Sequence, residues 1–442
     1  MWNRMMKAVL IGLALLYIGV SAFAQTAAKP PADGTAIPGD SQLPSDSSIF
    51  NLGTVDNTVN QSQKQEKKDS LSYLVGGTLL FDTTAQVPQN FSGYTAVGSF
   101  SGKLFGKVTV PEYGQLYLSY DLTHSLFEGT GGSVPSGTGL TGSLGSVGGT
   151  ATDLFANQYA LSEFFFDFDI AKTLFVRIGN QLVAWGPSFI WTPVDFINLQ
   201  KSSSLQSLDL RVGKPGIKFF LPFTHADITL FADLSQTVQS GNVGNLADTA
   251  RIAARGAATL GGFELGLSGF LGQGIQDRYG FDFSGRLLGT DVYGELGAGF
   301  AYDTYSFNYS YSLGFTRALG ELKRWTLQGE FFYNSAGTAD TGSYPAMLAA
   351  GSFTPLYVGK VYGYASLSKD KFIADYLKMT ISGLLNASDL SYQASLKAAF
   401  SIPRLVPFAA TLSFNGGGAG KELTYFSGNN ALTLDLQVLV QF

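Results

Sequence analysis

From residue 71 onward, the chain consists of segments in which large apolar side chains alternate with small or polar ones. The clearest segment runs from Tyr305 to Thr316, where Tyr, Phe and Leu occupy every second position and Ser, Asn, Gly and Thr occupy the others. Successive side chains of a β-strand point to opposite faces, so this repeat predicts strands with one apolar face and one polar face.

Eighteen such segments follow one another, beginning near residues 71, 95, 113, 157, 173, 208, 225, 250, 262, 279, 290, 303, 322, 353, 372, 391, 404 and 431. Links after even segments are tight, as at 169–172, whereas most links after odd segments are long, as at 185–206. This difference between the two rims, with an even strand number, is typical of outer-membrane barrels. The predicted fold is therefore an all-β, transmembrane antiparallel β-barrel. One short link, at 303–304, leaves sixteen strands as an alternative.

Composition argues against the other classes of protein that such a pattern allows. Charged residues make up 14% of the chain, compared with about 25% in ordinary soluble domains. A soluble β-sandwich is an alternative source of the alternation, but this many consecutive strands would overfill a single sandwich. After residue 24, no apolar run approaches the ~20 residues of a membrane-spanning helix. The net charge of -5 argues against nucleic acid as a partner.

The N-terminal part divides into an export signal and a polar leader. Residues 1–24 combine two basic residues, a short apolar stretch and a final Ala-Phe-Ala, which predicts a cleaved signal peptide rather than an anchoring helix. Residues 25–69 are rich in Pro, Ser, Asp, Gln and Lys, so we expect a flexible periplasmic leader, with a plug inside the barrel as the alternative. Residues 70–442 form the predicted barrel.

Two stretches resemble known families of membrane barrels. The last strand alternates Leu and Val with polar residues and ends in Phe442, which resembles the C-terminal assembly signal of Gram-negative outer-membrane barrels. A second stretch resembles the R-x-G-x-Q…W-G…P-x-D-x-I-N pattern of alginate-export and substrate-specific porins. The matching residues are Arg177, Gly179, Gln181, Trp185, Gly186, Pro193, Asp195, Ile197 and Asn198. The resemblance implies eighteen strands, recognition by the barrel-assembly machinery and a water-filled lumen that carries solutes.

Charged and amide side chains on the polar strand faces are predicted to line the lumen, because Arg or Lys facing lipid at the midplane costs ~2 to 4 kcal/mol. The alternation assigns to this face Glu163, Asp167, Asp169, Arg177, Gln181, Asp209, Arg211, Lys218, Asp227, Asp233, Arg251, Arg255, Glu295, Arg324 and Glu330. Both signs occur, so strong charge selectivity is not predicted. The charges would act either as a salt-bridge ladder that stiffens the wall or as an electrostatic filter.

On the fourth to sixth segments, the alternation also predicts neighbours. From the expected turn between the fourth and fifth strands, Arg177 would lie opposite Phe165 and diagonal to Glu163 and Asp167. In the sixth segment, the polar positions switch from odd to even numbers, which predicts a β-bulge at 213–216.

The link at 185–206 is far too apolar for a free loop in water. By our count it is the third outer loop, a position that resembles the constriction loop of general porins. We therefore predict that it folds inward and narrows the pore, with Trp185, Trp191, Asp195 and Lys201 as candidate constriction residues. The alternative is that it covers the rim or packs against a neighbouring subunit, since large apolar patches often mark partner contacts.

An enzyme is not predicted. The only histidines are His124 and His225. Ser125 follows His124 on the opposite face, and His225 lies beside a predicted periplasmic turn, so neither suits a catalytic triad. The Gly- and Ser-rich run at 129–150 lacks the strand–turn–helix context of a phosphate-binding loop. No metal-ligand spacing and no cofactor site are recognised.

The sequence therefore predicts an outer-membrane channel for the passive diffusion of small hydrophilic solutes. Its expected partners are outer-membrane lipid, the barrel-assembly machinery, the solutes and, as an option, further copies of the chain. The leader would lie in the periplasm and the long loops at the cell surface. Two alternatives remain: a surface-interaction or adhesion protein anchored by the barrel, and a channel for hydrophobic compounds, which would need an apolar passage and a plug.

Overall fold

The structure is a computed structural model of the chain. It describes residues 71–88, 90, 93–132, 158–198, 205, 207–240, 249–272, 275–301, 305–320, 322, 324–350, 352–402, 405–426 and 430–442. The predicted signal peptide, the leader and Lys201 lie outside these residues. Within the described part of the chain, every helix falls short of the length and apolarity needed to cross a bilayer.

Eighteen strands form one antiparallel sheet, which confirms eighteen rather than sixteen. In chain order they are β1 (Ser72–Pro88), β2 (Gly93–Val110), β3 (Gly114–Gly132), β4 (Gln158–Ile170), β5 (Leu174–Gln181), β6 (Lys214–Pro222), β7 (Ala226–Asp233), β8 (Arg251–Leu260), β9 (Phe263–Leu271), β10 (Asp277–Leu287), β11 (Thr290–Ala301), β12 (Ser306–Leu319), β13 (Trp325–Asn334), β14 (Val361–Lys369), β15 (Leu377–Asn386), β16 (Ser391–Phe400), β17 (Phe408–Gly416) and β18 (Asn430–Gln441).

The sheet closes into a barrel. Each strand pairs with its neighbours along the chain, and β18 returns to pair with β1. This closing pair runs in continuous register from Thr78 opposite Gln441 to Val87 opposite Leu432. Because the sheet has no open edge over this length, its backbone N–H and C=O groups find partners within the sheet, as a lipid environment requires.

The two faces of the strands differ as the alternation predicts. In β12, Leu313 is 50% exposed, whereas the preceding Ser312 is fully buried. The exposed apolar residues of adjacent strands are register partners, as for Leu396, Leu412 and Leu434 on β16, β17 and β18. Neighbouring strands therefore present their apolar residues on one continuous outer face, and their polar residues point into the barrel.

The links differ between the two rims, also as predicted. Links after even strands are short, as at 171–173 and 288–289, and the long links all follow odd strands. Among the described residues, three long links contain short helices: α1 (Ser235–Ser240) after β7, a 3₁₀ turn (Thr341–Ser343) and α2 (Tyr344–Ala349) after β13, and α3 (Glu422–Phe426) after β17.

Two strands begin six or more residues later than the alternation predicts. β6 begins at Lys214 rather than near 208, and β14 begins at Val361 rather than near 353. The residues before these strands belong to loops that bury apolar side chains, such as Leu208 and Phe353. Alternating apolar positions in a packed loop resemble those of a strand. The predicted bulge at 213–216 is also wrong, because β6 pairs with β5 in uninterrupted register.

The last residue takes part in barrel closure. The backbone N–H of Phe442 donates to the oxygen of Gly77 at 3.1 Å, and the N–H of Gly77 donates to the oxygen of Phe442 at 3.0 Å. A side chain at Gly77 would meet the Phe442 ring, so the glycine leaves room for it. Phe442 therefore extends the β1–β18 seam to the end of the chain.

We expect the substitution Phe442→Asp to lower the amount of assembled barrel while export remains intact, because a charge replaces the aromatic ring on the outer face of the closing strand. Heat-modifiable migration on SDS gels measures the assembled fraction. Phe442→Tyr keeps the ring and serves as the control. Equal amounts of folded, surface-accessible protein from the Asp variant would show that the terminal ring has no role in assembly.

Candidate functional site

The link between β5 and β6, residues 182–213, is called the inner loop below, and its described parts, 182–198, 205 and 207–213, lie inside the barrel. Its first part packs against Phe231, Ala253 and Phe270 of β7, β8 and β9, which are register partners on one strand face. The residues that the loop contributes to this buried cluster are Val183, Trp185, Val194, Phe196 and Ile197. Packing against the inner wall therefore accounts for the apolar composition of the loop.

Trp191 joins the inner loop to the wall formed by β13, β14 and β15. Its side chain is fully buried, and its ring stacks on Phe332 with 5.5 Å between the centroids. The indole Nε1 donates to the backbone oxygen of Leu356 at 2.8 Å. Tyr362 and Leu384 belong to the same buried cluster. The inner loop thus crosses from β5 to the far side of the barrel.

The end of the inner loop touches the seam of the barrel. Ser207 Oγ donates to Gln437 Oε1 of β18 at 2.6 Å, and Leu208 packs beside Leu80 of β1. The N–H of Gly213 then donates to a β4 backbone oxygen at 2.7 Å, which returns the chain to the start of β6. The described parts of the inner loop therefore contact strands on several sides of the lumen.

Two buried glutamates of the wall bind the backbone of the inner loop. Glu330 of β13 accepts from the N–H groups of residues 189–191 at 2.8, 3.0 and 2.8 Å. Glu295 of β11 accepts from the N–H groups of Ser188 and Val194 at 2.9 and 3.0 Å. Backbone amides removed from water need acceptors, and the two oxygens of a carboxyl group can accept several hydrogen bonds. Both glutamates lie on the inner wall, and their carboxylates anchor the loop.

Residues of the porin-like stretch allow the loop to dock. Gly186 has a φ of 100°, and a Cβ at this position would overlap the Glu295 carboxylate, so only glycine fits. Asn198 Nδ2 donates to the backbone oxygen of Val183 at 2.8 Å, which ties two parts of the loop together. The stretch thus supplies both the close approach to the wall and the internal bracing of the loop.

Asp195, a predicted constriction charge, is buried. It is 3% exposed, accepts from Asn198 Nδ2 at 2.6 Å and lies 3.7 Å from Nη1 of Arg211. Arg211 also makes a bidentate pair with Asp209, with Nε–Oδ1 and Nη2–Oδ2 both 2.9 Å. The prediction that Asp209 and Arg211 lie on a strand is wrong, because β6 begins after them and they belong to the inner loop.

Arg177 of β5 makes a bidentate pair with Asp167 of β4, with Nε–Oδ1 2.7 Å and Nη2–Oδ2 2.9 Å. The two residues are direct register partners. The prediction that Arg177 lies opposite Phe165 is therefore wrong: the turn is centred one residue later, which shifts each pairing by two. The guanidinium still lies 3.7 Å from the Phe165 ring centroid, a cation–π distance. Lys218 is the register partner of Arg177 on β6.

Other predicted wall residues bond to backbone or to opposite charges. Glu163 Oε1 accepts from the N–H of residue 182 at 3.2 Å, at the start of the inner loop. Gln181 Nε2 donates to a β6 backbone oxygen at 3.1 Å. Arg255 pairs with Asp282 at 2.8 Å and with Glu264 at 3.1 Å. These contacts give the buried polar groups of the inner wall hydrogen-bond and ion-pair partners.

Three predicted residues lie near the short-link rim. Asp169 is exposed and accepts from the N–H of Lys172 in the turn at 2.8 Å. Arg324 is exposed and precedes β13, so its assignment to that strand is wrong. Asp227 lies near the start of β7, opposite Ala257. Asp169 and Asp227 lie on the predicted strands β4 and β7, whereas Arg324 lies in the turn, where the alternation ends.

Sequence reasoning missed a group of charged inner-face residues that stay partly exposed. They are Asp82, Lys103, Lys378, Lys397 and Asp435, on β1, β2, β15, β16 and β18. Thr84 Oγ1 lies 3.3 Å from an oxygen of Asp82 and 3.3 Å from an oxygen of Asp435, which places two carboxylates side by side at the seam. The alternation of β16 and β18 is clear enough to have found Lys397 and Asp435. In β1, apolar residues occur on both faces and hide Asp82.

The described histidines and carboxylates form no set of metal ligands. No group of three or more His, Asp or Glu among them is placed to hold a metal ion. His124 is the register partner of Phe100 on β2, and His225 is exposed in a short link. The inner wall therefore offers hydrogen-bond partners and paired charges to whatever enters the barrel.

The fold and its interior define a class: a closed 18-stranded barrel with an apolar outer face, a polar inner face and a long loop folded into the lumen. No protein-family model and no curated protein matches the chain. Comparison with solved structures gives matches over most of the barrel.

Three of these structures come from Pseudomonas. A BenF-like porin from Pseudomonas fluorescens is 12% identical with a TM-score of 0.52, over 84% of this chain and 98% of that chain. Pseudomonas aeruginosa OccK2 in complex with glucuronate is 11% identical with a TM-score of 0.52, over 84% and 98%. Pseudomonas aeruginosa OccD3 is 9% identical with a TM-score of 0.52, over 90% and 97%. The predicted resemblance to large porin-type barrels is confirmed at the level of the fold.

We expect Glu330→Ala to loosen the inner loop, because three backbone N–H groups lose their acceptor. A buried unpaired donor costs about 1 to 3 kcal/mol, so the free energy of unfolding should fall by ~3 kcal/mol after water has replaced part of the loss. Thermal unfolding in detergent and protease cleavage within 187–192 of the folded barrel measure the effect.

Glu330→Gln keeps one acceptor oxygen and should show a smaller loss. Asp375→Asn, at a carboxylate that is 82% exposed in a short link, is the matched control. If Glu330→Ala unfolds and is cleaved like the wild type, the anchor role is wrong.

Proposed function

We propose that the protein is a passive outer-membrane channel for small hydrophilic solutes. The observation that carries this proposal is the closed 18-stranded barrel with an apolar outer face and a polar inner face. A bilayer accepts such a barrel because the backbone hydrogen bonds are made within the sheet, and a polar lumen suits water and dissolved solutes. The long links would lie at the cell surface and the short links in the periplasm.

Similar folds support the class of solute. OccK2 was obtained in complex with glucuronate, a hydrophilic sugar acid, and a second similar structure is a porin. These similarities favour a channel over an enzyme. The polar inner face disfavours the alternative of a channel for hydrophobic compounds, which would need an apolar path. Nothing in the described loops favours an adhesion protein.

The inner loop is the proposed constriction. Its backbone crosses the lumen and its apolar side chains pack on the wall of its own barrel. This packing supports inward folding over the alternatives of a rim cover or a subunit contact, because Trp185 and Trp191 are already buried. The width left for solutes would then depend on the loop and on the wall that it leaves uncovered.

The uncovered wall favours weak charge selectivity. Its partly exposed residues include three lysines and two aspartates, namely Lys103, Lys378, Lys397, Asp82 and Asp435. Wall charges also neutralise each other in pairs, such as Lys103 with Asp121, Lys378 with Asp370 and Arg177 with Asp167. A lumen with both signs close together attracts polar solutes without a strong preference for cations or anions.

We expect the purified protein to form ohmic channels in planar lipid bilayers. The polar lumen should conduct small ions of both signs, so the reversal potential in a salt gradient should stay close to zero. Single-channel recording measures both quantities. Folded protein that inserts into the bilayer without conducting would refute the channel, and a steep reversal potential would refute weak selectivity.

We expect deletion of residues 188–196 to raise the single-channel conductance several-fold, because the segment that crosses the lumen is removed. Glu295 and Glu330, which the segment covers, would then face water. Heat-modifiable migration identifies preparations that still form a barrel, and only these are recorded. A correctly folded deletion with wild-type conductance would contradict the constriction role and favour a structural role for the loop.

A further inference from the structure

Three outer links meet in one buried cluster inside the barrel. They are the inner loop, the link at 335–360, called the cap loop, and the link at 417–429, whose helix α3 is called the latch helix. Trp191 of the inner loop, Leu356 of the cap loop and Leu423 of the latch helix pack together with Tyr362 of β14. The position of each segment therefore depends on the other two.

A path of hydrogen bonds runs through this cluster. The Glu422 carboxylate of the latch helix accepts from the N–H of Leu356 at 2.7 Å. The oxygen of Leu356 accepts from Trp191 Nε1 at 2.8 Å. A second contact joins the cap loop to the inner loop, since the N–H of Thr192 donates to the hydroxyl of Tyr357 at 2.8 Å. Leu356 thus connects Glu422 to Trp191 through its own backbone groups.

Glu422 fastens the latch helix to the wall. The residue is fully buried and accepts from the Tyr362 hydroxyl at 2.6 Å and from Asn386 Nδ2 at 2.7 Å. Its own N–H donates to Asp389 at 2.7 Å. If this carboxylate left its place, the N–H of Leu356 would lose its acceptor inside the barrel, at a cost in stability.

The same link is exposed to solvent a few residues earlier. Gly418 and Ala419 are exposed, and three glycines there have positive φ values, 118° at Gly417, 97° at Gly418 and 81° at Gly420. The chain therefore bends sharply between an exposed tip and a buried carboxylate. A displacement of the tip acts directly on the latch helix.

We propose that the latch helix sets the width of the constriction: while Glu422 is in place, the cap loop holds Trp191 against β13, and when Glu422 is withdrawn, the inner loop loosens around Trp191. The proposal rests on the constriction role proposed above. Glu295 and Glu330 still hold the backbone N–H groups of residues 188–191 and 194, so withdrawal frees the Trp191 indole and widens the passage without removing the loop from the lumen.

Several ionisable groups surround Glu422 on the packed elements. Asp389 lies after β15, Tyr344 and Tyr357 lie in the cap loop, Tyr362 lies on β14 and Lys421 precedes Glu422 in its own link. Tyr344 donates its hydroxyl to Asp389 at 3.2 Å. The nearest acidic neighbour of Glu422 is thus itself held by hydrogen bonds.

Burial raises the pKa of Glu422 from 4.5 to about 8, with hydrogen bonds from Tyr362, Leu356 and Asn386 opposing the rise and Asp389 adding to it. A docked helix therefore keeps a proton that an undocked helix releases between pH 4.5 and about pH 8. Docking is strongest in acid and weakens as the pH rises through this window. The latch helix is therefore released in two ways: displacement of the helix breaks the hydrogen-bond path, and a rise in pH removes the proton from Glu422.

The test uses the full-length mature protein in detergent and in planar bilayers. Glu422→Ala removes the carboxylate, Glu422→Gln keeps a neutral acceptor, and Trp191→Phe removes the indole donor together with part of the buried ring. Asp375→Asn, exposed in a short link, is the control for loss of a carboxylate. Amide hydrogen exchange of peptides covering 186–195 and 352–358 reports loop docking, and single-channel recording reports width.

We expect Glu422→Ala to speed exchange in both peptides by about tenfold, as expected when a buried segment opens locally, and to raise the conductance. Combined with Trp191→Phe, it should add little further exchange in 186–195, because both changes break one path. In the wild type, exchange corrected for its chemical pH dependence should increase between pH 5 and pH 8. Glu422→Gln should lack that increase, and Asp375→Asn should behave as the wild type.

Faster exchange at 352–358 with unchanged exchange at 186–195 in Glu422→Ala would overturn the proposal, because the latch would then not reach the inner loop. Faster exchange in both peptides with an unchanged conductance would show that the latch helix does not set the width of the constriction. A wild type that never conducts would instead refute the channel function, while the exchange data would still decide whether the two loops are coupled.

Discussion

Every backbone amide that this chain takes out of water needs an acceptor, and the fold meets that need in two ways. In the wall, strands pair with strands and the β1–β18 seam closes the last edge. Residues 188–194 of the inner loop have no strand partner, so residues 188–191 and 194 use carboxylates on the wall as acceptors, and Thr192 uses the hydroxyl of Tyr357. The loop can lie inside the barrel because Glu295 and Glu330 supply what a neighbouring strand would otherwise provide.

This use of carboxylates changes how the charges of the wall are interpreted. A list of inward-facing acids suggests a filter, but Glu163, Glu295 and Glu330 all accept hydrogen bonds from the backbone of the inner loop. A carboxylate covered in this way contributes less to the field in the passage than one beside water. The charges left beside the passage are those of the uncovered wall, such as Lys397 and Asp435.

The sequence was sufficient for the barrel and for the inward loop, since both depend on side-chain polarity alone. The alternation around Leu313 reports which face meets an apolar medium, and the apolar run through Trp191 reports a loop that cannot remain in water. Contacts between distant segments were beyond such reasoning. The partner of Arg177 depends on where the turn between β4 and β5 is centred, and a shift of one residue changes it. Leu208 fits the alternation of a strand but belongs to the inner loop and packs against the opposite wall. The partners of Glu330 lie on a loop more than a hundred residues away in the sequence, so no local sequence pattern predicts them.

Glu330 and Glu422 both hold backbone amides through a carboxyl group, but Glu330 is a fixed anchor and Glu422 is a movable one. The difference lies in the backbone that carries each residue. Glu330 lies on β13, whose neighbours β12 and β14 hold it in register, so its position follows the barrel. Glu422 lies on a five-residue helix beside an exposed, glycine-rich bend, where local opening needs far fewer contacts to break. Both accept from backbone amides of segments inside the lumen, and Trp191 touches both sets of contacts through its main chain and its indole. Glu330 on the wall therefore fixes the position of the constriction, whereas Glu422 on the link between β17 and β18 can change its width.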